Sequence, residues 1–155
     1  MTKGIWRGSE VAVKTFYADL ALSSTFIAEV ECMSRLAHPS IVQLYGYVIK
    51  PGKLAIVSEL VSCGSLYKLL HGTEARDLMR RKAIDSQRWL SMVLDIARGM
   101  DYLHSRVPAI VHRDLKSLNL LISRNCQVKV SHDRLIFPLL HWIYDRFQHR
   151  CVILA

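Results

Sequence analysis

Polar and apolar residues alternate over 10–16 ("EVAVKTF"), directly after Gly8 and Ser9, and this period of two predicts a strand. The period then changes. In "SSTFIAEVECMSRLA" (23–37), Phe26, Val30, Met33 and Ala37 recur at helical spacing, with Ser23 or Ser24 placed to cap the start. His38-Pro39 stops that helix, because a residue preceding proline avoids the helical region. Two further strands are predicted at 41–49 ("IVQLYGYVI") and 53–60 ("KLAIVSEL"), on either side of a Pro51-Gly52 turn.

Helical periods dominate afterwards. "GSLYKLLHG" reads as a short helix between two glycines. "QRWLSMVLDIARGMDYLHS" (87–105) reads as a long one, with Leu90, Val93, Leu94, Ala97, Met100 and Leu103 as its apolar face. Two short strands, 119–123 and 127–130, flank a turn at Arg124-Asn125. A strand-rich portion followed by a helical one predicts an α+β protein of two lobes, with a ligand cleft between them.

Composition narrows the class without naming it. The 155 residues suffice for one ordinary core, and 51% hydrophobic with 22% charged is a globular balance. No apolar run reaches the roughly 20 residues of a membrane-spanning helix. The first residues, "MTKGIWRGSEVAVK", lack a secretory h-region. Cys32, Cys63, Cys126 and Cys151 form no C-x-x-C pair, which argues against zinc and for reduced thiols, and so for the cytoplasm. A net charge of +8 suits anionic ligands in general. The densest basic run, 76–88, contains Asp77 and Asp85 and no interleaved aromatics, so a solvated face is expected there and no nucleic acid partner.

The chemistry concentrates in "VHRDLKSLNLLI" (111–122). On a loop between a helix and a strand, Asp114 can take a proton from a hydroxyl. Lys116 can hold a phosphoryl group as a point charge, and Asn119 can offer an amide oxygen to Mg²⁺. Lys14 on a strand and Glu29 on the following helix can pair towards phosphates. Singly, each residue is an ordinary strand, helix or turn residue. Their order carries the reading: V-A-x-K, a helix with a Glu, then H-R-D-L-x-x-x-N between strands.

On "GIWRGSEVAVK", "FIAEVECMSRLAHPSIVQLYGY", "LAIVSELVSCGSLYKLLHG", "LDIARGMDYLH" and "IVHRDLKSLNLLI", the chain resembles a eukaryotic protein kinase domain of the tyrosine-kinase-like, Raf-like group, from residue 4 to about 131. The resemblance implies a small lobe over 1–61 and the start of a large lobe over 62–131. It implies ATP and Mg²⁺ as cofactors and a protein Ser or Thr as substrate, the "KSLN" ending being of the Ser/Thr type. By position, Lys14 meets the α- and β-phosphates and pairs with Glu29, while Ala12 and Leu121 sandwich the adenine. Ser58 is the gatekeeper, the backbone of Glu59 to Val61 is the hinge, and Ser65 meets the ribose. Asp114 is the base, Lys116 the γ-phosphate contact, Asn119 the Mg²⁺ ligand, and His112 a packing residue.

Two departures accompany this match. The family's Gly-rich loop precedes the strand at "GIWRG", and these residues do not contain it. Where the interval from Asn119 places the D-F-G aspartate stands His132, with Asp133 one place late. Residues 132–155 match no kinase element and are expected to be a foreign tail. The domain is thus expected to be incomplete, with an apolar face of the 87–105 helix left uncovered. The alternatives are a catalytically dead kinase fragment acting as a binding module and, on charge alone, a nucleic-acid binder.

Overall fold

The computed structural model describes residues 1–16, 23–50, 52–72, 85–131 and 152–153, with the side chains of 23–25, 28, 29, 152 and 153 excluded. The described chain divides into two compact units: 1–37, 43–60 and 152–153 in one, 38–42 and 61–131 in the other. Antiparallel strands and helices make the α+β class that the periodicities predicted.

In the first unit, β1 (Thr2–Trp6) and β2 (Ser9–Phe16) form a hairpin with Trp6 opposite Ser9. Its two-residue turn, Arg7 and Gly8, has both φ angles positive (48° and 79°), the geometry whose twist matches that of paired strands. Helix α1 (Ser23–Ser34) follows, then β3 (Leu44–Lys50) and β4 (Lys53–Glu59). The sheet order is β1-β2-β4-β3, with a two-residue strand β7 (Val152–Ile153) on the far side of β3. Phe26, Val30 and Met33 of α1 pack with Leu44, Leu54 and Ile56 to form the core. Ala37, the fourth residue of the predicted stripe, lies outside the helix and is exposed, and Leu36 is buried instead. The chain leaves α1 through tighter three-residue bonds, Arg35 N to Cys32 O and Leu36 N to Met33 O, which turn Leu36 into the place the helical spacing gave to Ala37.

In the second unit, α2 (Leu66–His71) and α3 (Ser86–His104) precede β5 (Leu120–Ile122) and β6 (Val128–Val130), which pair antiparallel. Asp85 caps α3, its carboxylate accepting from Arg88 N at 2.8 Å. The strand predicted at 41–49 begins only at Leu44. Ile41 bridges Val130, and Val42 N donates to Val130 O at 3.0 Å, so 40–42 serves β6 instead.

The predicted apolar face of α3 is largely not the face that this unit buries. Met92, Asp95, Gly99 and Leu103 are buried, whereas Leu90, Val93 and Leu94 are 60%, 57% and 43% exposed. Hydropathy overlooks the buried face because two of its members are a glycine and an aspartate. A Cβ on Gly99 would stand 2.9 Å from Ser40 O and 3.1 Å from Val130 Cγ2, so glycine is what lets α3 approach. No described helix is long and apolar enough to cross a membrane.

Candidate functional site

In the first unit, the β2–β4 register sets Ala12 opposite Ser58 and Lys14 opposite Ile56. Directly paired residues share a face of the sheet, so all four lie on the face that packs α1 through Ile56. Lys14 thus stands on the α1 side. Glu29 belongs to α1, but its side chain lies outside the described residues, and so does any pairing with Lys14. Glu59, the last residue of β4, is held by Gln43. Its N–H donates to Gln43 O at 2.8 Å, and its carboxylate accepts from Gln43 N at 3.3 Å. Burial raises the pKa of the nearby Tyr45 phenol, and the Glu59 charge adds to the effect.

The longer stretch of the second unit begins with Val61, and residues 63–65 run antiparallel to β5. Cys63 N donates to Ile122 O at 3.0 Å and Ile122 N to Gly64 O at 2.8 Å. That pairing sets Ser65 opposite Leu121. The Ser65 hydroxyl also caps α2, accepting from Lys68 N at 3.3 Å, a local duty that its sequence position alone did not reveal.

The tightest constellation is the loop before β5. Asp114 Oδ2 accepts from Lys116 Nζ at 2.9 Å and from Asn119 Nδ2 at 3.0 Å. Asn119 Nδ2 also donates to the Asp114 carbonyl at 2.7 Å. Lys116 is half exposed while Asn119 is buried. Asn119 is itself fixed, its N–H on Lys116 O and its C=O on Ser131 N, both at 2.8 Å. Arg113 takes a left-handed φ of 59°, turning the chain between the buried His112 and Asp114.

His112 is fully buried. Its Nε2 donates to Ser131 O at 2.7 Å, and its Nδ1 accepts from Asp114 N at 3.3 Å. With both ring nitrogens committed, it braces the loop. Sequence reading missed Ser131, whose backbone holds both His112 and Asn119. The residue is signalled only by ending the "VKVS" strand. His132 and Asp133, with the rest of 132–151, lie outside the described residues.

A hard cation such as Mg²⁺ takes oxygen ligands. Asn119 spends its amide nitrogen on Asp114, leaving Oδ1 without a hydrogen bond among the described residues. No group of three or more His, Cys, Asp or Glu able to hold a metal exists among them. Among the described residues, the Asn119 amide oxygen is thus of the kind such a cation would take.

The protein tyrosine and serine/threonine kinase family model matches residues 1–140, running on past Ser131. The serine/threonine-protein kinase CTR1 of Arabidopsis thaliana is 49% identical over 130 residues, which is 81% of this chain and 15% of that protein. The probable serine/threonine-protein kinase SIS8 of Arabidopsis thaliana is 48% identical over 131 residues, 83% of this chain and 12% of that protein. The probable serine/threonine-protein kinase drkD of Dictyostelium discoideum is 43% identical over 132 residues, 83% of this chain and 10% of that protein. The chain thus spans well under a fifth of the length of these relatives.

Proposed function

We propose, since the chain belongs to the protein tyrosine and serine/threonine kinase family and within it to the Raf-like group, that it is part of an ATP-dependent protein serine/threonine kinase. One observation carries the reading: the Asp114 carboxylate held between a buried amide and a half-exposed ammonium. Such a carboxylate is oriented, as a proton acceptor for a protein hydroxyl must be.

In the reaction the Ser or Thr oxygen attacks the γ-phosphorus of ATP, its proton passes to Asp114, and the bond to the β-phosphate oxygen breaks to release ADP. Lys116 Nζ stabilises negative charge on the transferring group, and its exposure lets it swing from Asp114 to phosphate. Asn119 orients Asp114 through Nδ2 and offers Oδ1 to Mg²⁺, which when bound neutralises phosphate charge. Lys14, aided by Glu29, takes the α- and β-phosphates. Ala12 and Leu121 enclose the adenine, and Ser65 meets the ribose. Glu59 N–H is already spent on Gln43 O, so adenine recognition falls to the Glu59 carbonyl and the Val61 backbone, beside Ser58 as gatekeeper. The substrate is a protein, nucleic acid is not a partner, and three free thiols among the described residues suit a cytoplasmic site of action.

The test is phosphate transfer to a Ser/Thr peptide library with and without Asp114→Asn. Loss of about 10³-fold or more in the variant is expected, and an unchanged rate would sink the assignment. The second reading, a catalytically dead binding module, is favoured by the His132-Asp133-Arg134 sequence where D-F-G belongs. It predicts a folded chain that engages a partner without turning over ATP, so measurable peptide phosphorylation by the wild type would exclude it.

A further inference from the structure

Asp95 has no part in the chemistry above, yet its side chain is buried in the middle of α3, where the residue is 8% exposed. Aspartate is almost never buried without a partner. The Arg98 guanidinium, 3.7 Å from Oδ1 and 65% exposed, is too distant and too solvated to explain it. The Oδ2 contact does: it accepts the Val128 N–H at 3.1 Å. In an antiparallel ladder alternate N–H groups point away from the paired strand. On β6 those are Val128 and Val130. Val130 donates to Ser40 O at 2.8 Å, and Val128 donates to Asp95 Oδ2 at 3.1 Å.

β6 leads straight to the candidate catalytic loop. Val128 and Val130 are wholly buried, so both ends of the strand are packed in place. Ser131, directly after it, holds His112 Nε2 on its carbonyl at 2.7 Å and Asn119 O on its N–H at 2.8 Å. Asn119 in turn holds Asp114. We propose that Asp95 is a positioning residue for the Asp114–Asn119 pair, fixing the register of β6 on α3 so that Ser131 presents its backbone to His112 and Asn119. The proposal rests on the kinase reading for its catalytic consequence, but the geometry it invokes does not.

The experiment compares wild type with Asp95→Ala, Asp95→Asn and Arg98→Ala in the full chain. Amide NMR and hydrogen exchange are read at Val128, Ser131 and the Asn119 side chain, alongside kcat and KM for ATP. Asp95→Ala should shift the Ser131 and Asn119 signals, speed exchange at Val128, and lower kcat by about tenfold or more with KM for ATP nearly unchanged. Asp95→Asn keeps an acceptor for Val128 and should restore both readouts to within about twofold, and Arg98→Ala should leave them unmoved. If Asp95→Ala melts earlier yet leaves the Asn119 signals and kcat in place, the residue is merely structural and the proposal is overturned. Should Asp95→Ala not fold, Asp95→Glu, which keeps the charge but displaces the carboxylate by one methylene, decides by the same readouts. A wild type without phosphate transfer would defeat the kinase reading alone, and the Ser131 and Asn119 signals would still judge Asp95.

Discussion

His112 stabilises a loop that carries three polar side chains and little apolar surface of its own. Both ring nitrogens are used inside the protein, and removing the ring takes the Nε2 donor from the Ser131 carbonyl, while the Asp114 N–H keeps its bond to the His112 carbonyl. Each orphaned buried group costs about 1–3 kcal/mol. His112→Phe, which fills the space but offers the Ser131 carbonyl no donor, should therefore lower unfolding stability by about 1–3 kcal/mol in urea titration. Two tyrosines set a pH dependence of known sign. Burial raises Tyr45, with Glu59 adding, and burial raises Tyr47, with Glu31 adding. Groups raised in the folded state favour it fully below their unfolded value of 10.0 and lose that contribution as pH rises through the folded value. The urea midpoint should therefore fall as pH rises above 10.0, and less steeply in Tyr45→Phe.

At the scale of elements, α3 is held by its less apolar side. Gly99 brings the helix against Ser40 and Val130, and Asp95 bonds to β6. An alanine at 99 gains about 1 kcal/mol of helix propensity. It also drives a methyl to 2.9 Å from a carbonyl that cannot retreat, since Ser40 O holds Val130 N. Overpacking of this kind costs about 1–3 kcal/mol. The clash should win, and Gly99→Ala should lower the melting temperature. Asp85→Ala removes only the cap of α3 and should cost about 1 kcal/mol, measured by chemical denaturation.

At the scale of the molecule, Leu90, Val93 and Leu94 form an uncovered apolar row on α3. Residues already in solvent lose nothing on becoming polar. Leu90→Gln with Leu94→Gln should change stability by no more than about 0.5 kcal/mol. The same pair should reduce self-association in sedimentation velocity, because exposed apolar patches drive it. The exposed row falls on Leu90, Val93 and Leu94, residues that periodicity had placed on the apolar face expected to be left uncovered.

The sequence by itself determined the local elements and the identity of the family. Strand and helix periods are written in side-chain order, and H-R-D-L-x-x-x-N with V-A-x-K is specific enough to name the chemistry. Tertiary structure decided what depends on which surfaces meet. It turned α3 onto Asp95 and Gly99, gave 40–42 to β6 in place of β3, and set Gln43 on Glu59. It also made the Ser131 backbone the support of His112 and Asn119. A backbone carbonyl has no letter in the sequence, and a glycine that permits close approach reads the same as one that turns a loop. These roles come from neighbours distant in the chain, and only the folded chain brings them into contact.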